Sequence, residues 1–204
     1  MTETADNHEH VIIETARQLF VAKGYEKTCM CDIAAAAGIN RTTLHYYFHT
    51  KERMFQAVFG SIVQIIIPKL KLIFEEDIPL FAKMDKALDE YISIFISNPY
   101  LPKFVIGEIQ RDVNHLTDTA RLLGFDKYLS EIAQNIHAGM EQENLSKTPI
   151  VLVFSTFYSQ LIFPFLAKNL IVALFYEDDK EFAEKFMQEW KANVISQMRM
   201  MLEQ

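Results

Sequence analysis

Apolar residues return at every third or fourth position through most of this chain, the signature of one face of a helix. Ile12, Ala16, Leu19 and Phe20 mark a first helix from about Asn7 to Lys23, closed at Gly24, a residue that tolerates positive φ. Thr28 is the expected cap of a second helix with Ile33, Ala34 and Ala37 inward. Gly38 ends it, and Asn40 caps a third from Arg41 to about Phe48, whose Leu44 and Phe48 close a small core with Ile33 and Phe20. Lys51 opens a fourth, with Met54, Val58, Ile62 and Ile65 inward, that continues to Pro68 or beyond.

Breakers divide the remainder. Ile78-Pro79 precedes a helix with Leu88, Tyr91, Ile92 and Phe95; after Asn98-Pro99 another is expected from Leu101 to about Asn114. A turn at Gly124 leads into a helix from about Phe125 to Asn144, and Thr148-Pro149 opens an uncharged one. Glu177-Asp178-Asp179 separates that from a final helix at Lys180–Leu202, where Phe182, Phe186, Trp190, Val194 and Met198 are four apart. No alternating Val- or Thr-rich run competes with this pattern, so the fold class is all-α.

Half of the 204 residues are hydrophobic and sixteen are Phe, which excludes a disordered chain. Thr148 to Ala167 carries no charge and is long enough to span a bilayer. Ser155, Thr156, Ser159, Gln160 and Pro164 lie within it, however, and suit a core or subunit interface better than lipid. No membrane partner is expected. The polar start, MTETADNHEH, reads as no signal peptide. The only cysteines, Cys29 and Cys31, are one residue apart. A disulfide between them is awkward and would staple little, which points to a reducing cytoplasm.

The formal charge of −7 is unevenly placed. Residues 1–60 hold six Lys/Arg against seven acids, residues 61–204 fourteen against twenty, and Lys23–Arg53 five against three. Charges beyond about 8–10 Å are screened, so an acidic body does not forbid a mildly basic contact surface.

That basic stretch is two short helices broken at Ala37-Gly38-Ile39-Asn40. Such an arrangement supports one helix with another and lays the second in the major groove of DNA. With Leu44 and Phe48 inward, Arg41, Thr42, Thr43, His45, Tyr46, Tyr47 and His49 face outward. Hydroxyls hold phosphate oxygens, Arg41 pairs with a guanine edge or a phosphate, and Lys51 adds a cation. These aromatics would otherwise pack on a partner protein or close the small domain. Cys29, Cys31, His45 and His49 form a zinc-type donor set, but the cysteine spacing is too short for the usual site, and no metal or cofactor is expected. No nucleophile–base pair or phosphate loop is present, and Glu108, Arg111, Asp112 and His115 read as a solvated helix cluster, so no enzyme is expected.

The residues Gly24-Tyr25, Thr28, Asp32-Ile33-Ala34, Ala37-Gly38-Ile39, Thr43-Leu44, Tyr46-Tyr47-Phe48 and Lys51-Glu52 resemble the DNA-binding signature of the tetracycline-repressor (TetR) family over roughly residues 8–60. The resemblance implies a homodimeric transcriptional regulator, usually a repressor, with a helix-turn-helix domain at 1–50 and a helical ligand and dimerisation domain at 51–204. It places DNA contacts at Thr28, Cys29, Arg41, Thr42, Thr43, His45, Tyr46, Tyr47 and Lys51. Cys29 stands near a Ser or Thr of the family pattern, and His45 where Tyr is common.

Twelve of the sixteen phenylalanines follow residue 60, and an apolar cavity for a hydrophobic or amphipathic effector is expected there. Its polar contacts would be Tyr91, Arg111, His137, Tyr158 and Gln160. The last two helices are expected to pair with their copies across a two-fold axis. The fourth, from Lys51 to about Leu72, would act as a lever. The competing reading is a helical carrier of a hydrophobic molecule that never meets DNA.

Overall fold

A computed structural model describes residues 2–176, 178 and 186–203, with side chains from residue 8 onward. All eleven described elements are helices. They are α1 (Thr2–Lys23), α2 (Met30–Ala36), α3 (Arg41–Phe48), α4 (Lys51–Glu75), α5 (Leu80–Ser97), α6 (Leu101–Arg111), α7 (Val113–Leu122), α8 (Phe125–Gln142), α9 (Ile150–Leu166), α10 (Lys168–Phe175) and α11 (Met187–Leu202). The expected start of the last helix at Lys180, with Glu177, Asp179 and Phe182, lies outside the described residues.

The chain divides into two compact units, one of Met1–Ile65 with Lys103–Phe125, the other of Ile66–Pro102 with Asp126–Gln204. In the first, α2 packs on α1 and α3. Ile12, Ala16, Phe20, Ile33, Leu44 and Phe48 are buried there, each large side chain contributing about 1.5–3 kcal/mol. Gly24 and Gly38 stand at φ +82° and +69°, a conformation costly for other residues. At Gly38 it lets Ile39 N–H reach Ala34 O at 3.0 Å, which turns the chain sharply between α2 and α3. Met54, Phe55, Val58 and Ile62 of α4 complete this core, whereas Ile65, expected inward, is exposed.

The second unit gathers α5, α8, α9, α10 and α11 with the end of α4. α11 packs on α5 and α9, fixed by Lys191 Nζ at 2.9 and 2.7 Å from Asp85 and Asp89. Trp190 Nε1 donates to the Gln160 carbonyl at 2.9 Å. Val194, Met198 and Leu202 turn inward, and Phe186 and Trp190 are half-buried.

Two breaks depart from expectation. The helix predicted to run to Asn114 stops at Arg111, where Asp112 leaves helical geometry and its carboxylate accepts from His115 N–H at 3.0 Å, capping α7. Beyond the uncharged helix, Ala167 breaks the chain and a separate α10 begins. Pro164 lies inside α9, and Pro68 inside α4. Among the described residues α4 is long and apolar enough, by length and composition, to cross a bilayer, and α9 with α10 only as a pair bent by 66°.

Candidate nucleic-acid interface

α3 begins where Asn40 Oδ1 accepts from Thr43 N–H at 2.7 Å and from Thr43 Oγ1 at 3.0 Å. This cap satisfies a backbone donor that the helix itself cannot. Burial of Leu44 and Phe48 then fixes which side faces out. Arg41, Thr42, His45 and Tyr46 are exposed, Thr43 and Tyr47 half-buried. Tyr46 is 77% exposed and meets Tyr47 edge-on at 5.4 Å. The helix ends at His49, whose φ of 55° takes the chain into α4.

Two expected contacts sit differently. Thr28 does not cap α2 and is 1% exposed, because its hydroxyl donates to the Gly24 carbonyl at 2.8 Å and lies 3.3 Å from that of Leu19, closing the end of α1. Cys29 takes the capping position instead. Its Sγ accepts from Asp32 N–H at 3.2 Å, and its own N–H donates to Asp32 Oδ2 at 3.1 Å. The reciprocal pair is a capping box with sulfur in place of the hydroxyl. The disulfide judged awkward is also present: Cys29 and Cys31 are joined, with Cα atoms 5.2 Å apart, a separation that bridged cysteines commonly show. Their sulfurs and the Asp32 carboxylate lie within 4.8 Å of one another, but joined sulfurs are not the thiolates that a zinc site requires.

Lys51 is held before it could reach a phosphate. Its Nζ donates to Glu26 O at 3.2 Å and sits 4.3 Å from the centre of the Tyr25 ring. The Arg111 guanidinium lies 4.4 Å from the same ring. Arg111 also donates to Glu108 at 2.6 and 2.8 Å, to Glu26 at 3.2 Å, and lies 2.7 Å from His115 Nδ1. His115 Nε2 is 2.6 Å from Glu52, which accepts from Tyr25 Oη at 3.2 Å. Burial first, and then the Glu52 carboxylate, push the Tyr25 phenol up to about 12. Burial disfavours the Arg111 charge, but Glu108 and its neighbours outweigh it and raise the guanidinium further. Tyr25, Glu52, Glu108 and His115 thus form one polar cluster with Arg111. The sequence shows the Glu108–His115 run but gives no sign that Tyr25 and Glu52 join it.

Of the five residues expected around an apolar cavity, the structure brings together two. Tyr91 and Tyr158 meet hydroxyl to hydroxyl at 2.5 Å and line a void of about 30 Å³ with Leu70, Phe74, Ile136 and Phe157. Burial raises both phenols, that of Tyr91 well above the ordinary tyrosine value, while the hydrogen bond from Tyr91 opposes the rise at Tyr158. Arg111 belongs to the first unit and His137 is exposed. Among the described residues the buried Gln160 Oε1 has no hydrogen-bond partner. The void holds about one water and is far below the roughly 300–1,000 Å³ of ligand pockets, so a ligand enters only by parting its walls.

The first unit is therefore a helix-turn-helix that presents a polar and aromatic helix face. Residues 12–58 match the family model described as bacterial regulatory proteins, tetR family. The chain is similar to the HTH-type transcriptional regulator RutR of Escherichia coli, 35% identical over 41% of this chain and 37% of RutR. The HTH-type regulator TtgR of Pseudomonas putida is 33% identical over 29% of each. The chain thus covers well under half the length of these curated relatives. Among solved structures, FadR of Bacillus subtilis in complex with stearoyl-CoA has a TM-score of 0.72 at 15% identity, over 93% of this chain and 97% of that one. The fold is shared along nearly the whole chain, and the sequence signature is confined to residues 12–58. Residues 12–58 thus carry the signature of the tetR family of bacterial regulatory proteins.

Proposed function

We propose that the protein is a ligand-responsive transcriptional regulator that binds duplex DNA, acting in the cytoplasm as a repressor and a homodimer on a palindromic operator. Residues 1–50 read DNA, and 51–204 bind the effector and a second copy of the chain. The observation that carries this reading is the outer face of α3, where Arg41, Thr42, His45 and Tyr46 stand exposed around a buried Leu44 and Phe48. Arg41 suits a guanine edge, the Thr and Tyr hydroxyls suit phosphates, and His45 donates more strongly when protonated. Lys51 reaches a phosphate by leaving the Glu26 carbonyl, and Cys29 offers only a weak donor in its reduced form.

Exposed Val151, Leu152, Phe163 and Leu166 on α9, with Leu170, Leu174 and Phe175 on α10, support pairing of two copies through an apolar face. The lining of the Tyr91–Tyr158 void supports a hydrophobic or amphipathic effector, and FadR of Bacillus subtilis holds an acyl-CoA. An effector that opens this void would shift the population between two states through α4, and coupling of about 1–3 kcal/mol would change operator affinity about 5–150-fold.

Selection of bound duplexes from a random pool tests the reading. A palindrome with half-sites about one helical turn apart, bound more weakly as salt rises, is the expected result. Replacing Tyr46 and Tyr47 with Ala should abolish binding to the selected duplex. A protein that selects no duplex at modest ionic strength, or that keeps its DNA affinity without both tyrosines, refutes it.

A further inference from the structure

Cys29 and Cys31 are half-buried and flank Met30 on the rim of an open recess of about 360 Å³, whose other walls are Arg41, Leu44 and His45 of α3. The disulfide thus borders the helix assigned to the DNA groove. A ring closed over three residues restrains the unfolded chain very little, because the entropic gain grows with loop length. The stability of the fold gives no reason for the bond, and partly exposed disulfides belong to the labile, regulatory class.

We propose that Cys29 and Cys31 form a thiol–disulfide switch on the DNA-reading face, closed by low-molecular-weight disulfides and reopened by low-molecular-weight thiols. This inference rests on the DNA-binding role assigned above. In the closing step the Cys29 thiolate attacks one sulfur of the small disulfide and expels one small thiolate. The Cys31 thiolate then attacks Cys29 Sγ of the mixed disulfide and expels the remaining small thiolate. Two electrons pass from the cysteine pair to the small disulfide, and the two protons end on the released thiols.

The charged groups facing the pair set the direction of the effect. Asp32 of α2 turns its backbone N–H to Cys29 Sγ at 3.2 Å, and Lys23 of α1 lies 3.8 Å from the Asp32 carboxylate. Arg41 and His45 of α3 share the recess. In the open form the backbone N–H, the guanidinium and a protonated imidazole favour the Cys29 thiolate. That thiolate repels DNA phosphates within a Debye length and competes with them for Arg41 and His45. Closing the ring removes the negative charge, so the oxidised form binds duplex DNA more tightly.

The test measures affinity for the pool-selected duplex after equilibration with excess oxidised glutathione or excess dithiothreitol. Ring closure is read as the loss of two hydrogens in the intact mass. The closed form should bind about five- to tenfold more tightly than the open form at about pH 8.5, and the ratio should be smaller at about pH 6.5, where less of the thiol is ionised. Cys31→Ser should retain one glutathione on Cys29 and close no ring, whereas the unsubstituted protein should lose two hydrogens and retain none. Equal affinity of closed and open protein at both pH values overturns the switch, as does glutathione retained on one cysteine of the unsubstituted protein without ring closure. If neither form selects any duplex, the DNA-binding assignment falls and the switch with it. A duplex bound equally by both forms removes the switch alone.

Discussion

The two compact units stabilise their buried polar groups by different chemistry. In the first, Glu108 is buried and ionic, balanced by Arg111, and the chain of contacts passes through His115 and Glu52 to Tyr25. In the second, Tyr91 and Tyr158 share a neutral hydroxyl contact inside a shell of aromatic and aliphatic side chains. A buried charge demands its counter-charge, whereas a buried phenol needs only one hydrogen bond. The first unit should therefore fail abruptly when one partner is removed, and the second gradually.

Arg111→Ala should give the largest effect, because it leaves the 5% exposed Glu108 side chain uncompensated. A loss of about 3–5 kcal/mol in equilibrium urea unfolding is expected. Combining Arg111→Met with Glu108→Gln should recover most of that loss. An Arg111→Ala protein of unchanged stability would refute the contrast between the units.

Tyr91→Phe should cost about 1–3 kcal/mol by leaving the Tyr158 hydroxyl unpaired, and adding Tyr158→Phe should restore part of it in a double-mutant cycle. The pair also sets an alkaline limit. Burial raises both phenols, so the stability they supply is whole below about pH 10 and is lost as pH climbs toward their folded values. Tyr25, pushed up to about 12, contributes with the same sign between the ordinary tyrosine value of 10.0 and that point. Unfolding followed against pH should stay level to about pH 9.5 and then decline, less steeply in the doubly substituted protein. A flat profile beyond pH 10 would contradict the raised phenols.

Asn40→Ala should give the smallest loss, about 0.5–2 kcal/mol, since it removes only the cap of α3. Thermal unfolding measures the loss. No change would mean that Thr43 N–H finds another acceptor.

What the sequence reveals depends on how locally each feature is determined. The α1–α3 segment was readable because Gly24, Gly38 and Asn40 mark its turns and caps directly, and Leu44 and Phe48 orient its outer face. The break at Arg111–Asp112 was hidden because neither Gly nor Pro marks it, although Asp112 is an acceptable N-cap. The Ala167 break is similarly unmarked, and the conspicuous Pro164 lies within α9. Of the residues expected around a cavity, Tyr91 and Tyr158 meet at their hydroxyls, whereas Arg111 lies in the polar cluster of the first unit. Its partner Glu26 lies 85 residues away, and His115 reaches Glu52 over 63. No periodic pattern encodes contacts of that range. Spacing alone also misjudged the cysteines, because the extended backbone of Cys29, at φ −101° and ψ 160°, turns its sulfur toward Cys31.

The first unit is discontinuous, since it recruits Lys103–Phe125 from the middle of the chain. An exchange of operator specificity between relatives would therefore not be a simple transplant at residue 50. A donor head joined there would arrive without the glutamate, arginine and histidine that brace its first loop. A working hybrid must carry both pieces of the recipient's scaffold or both of the donor's.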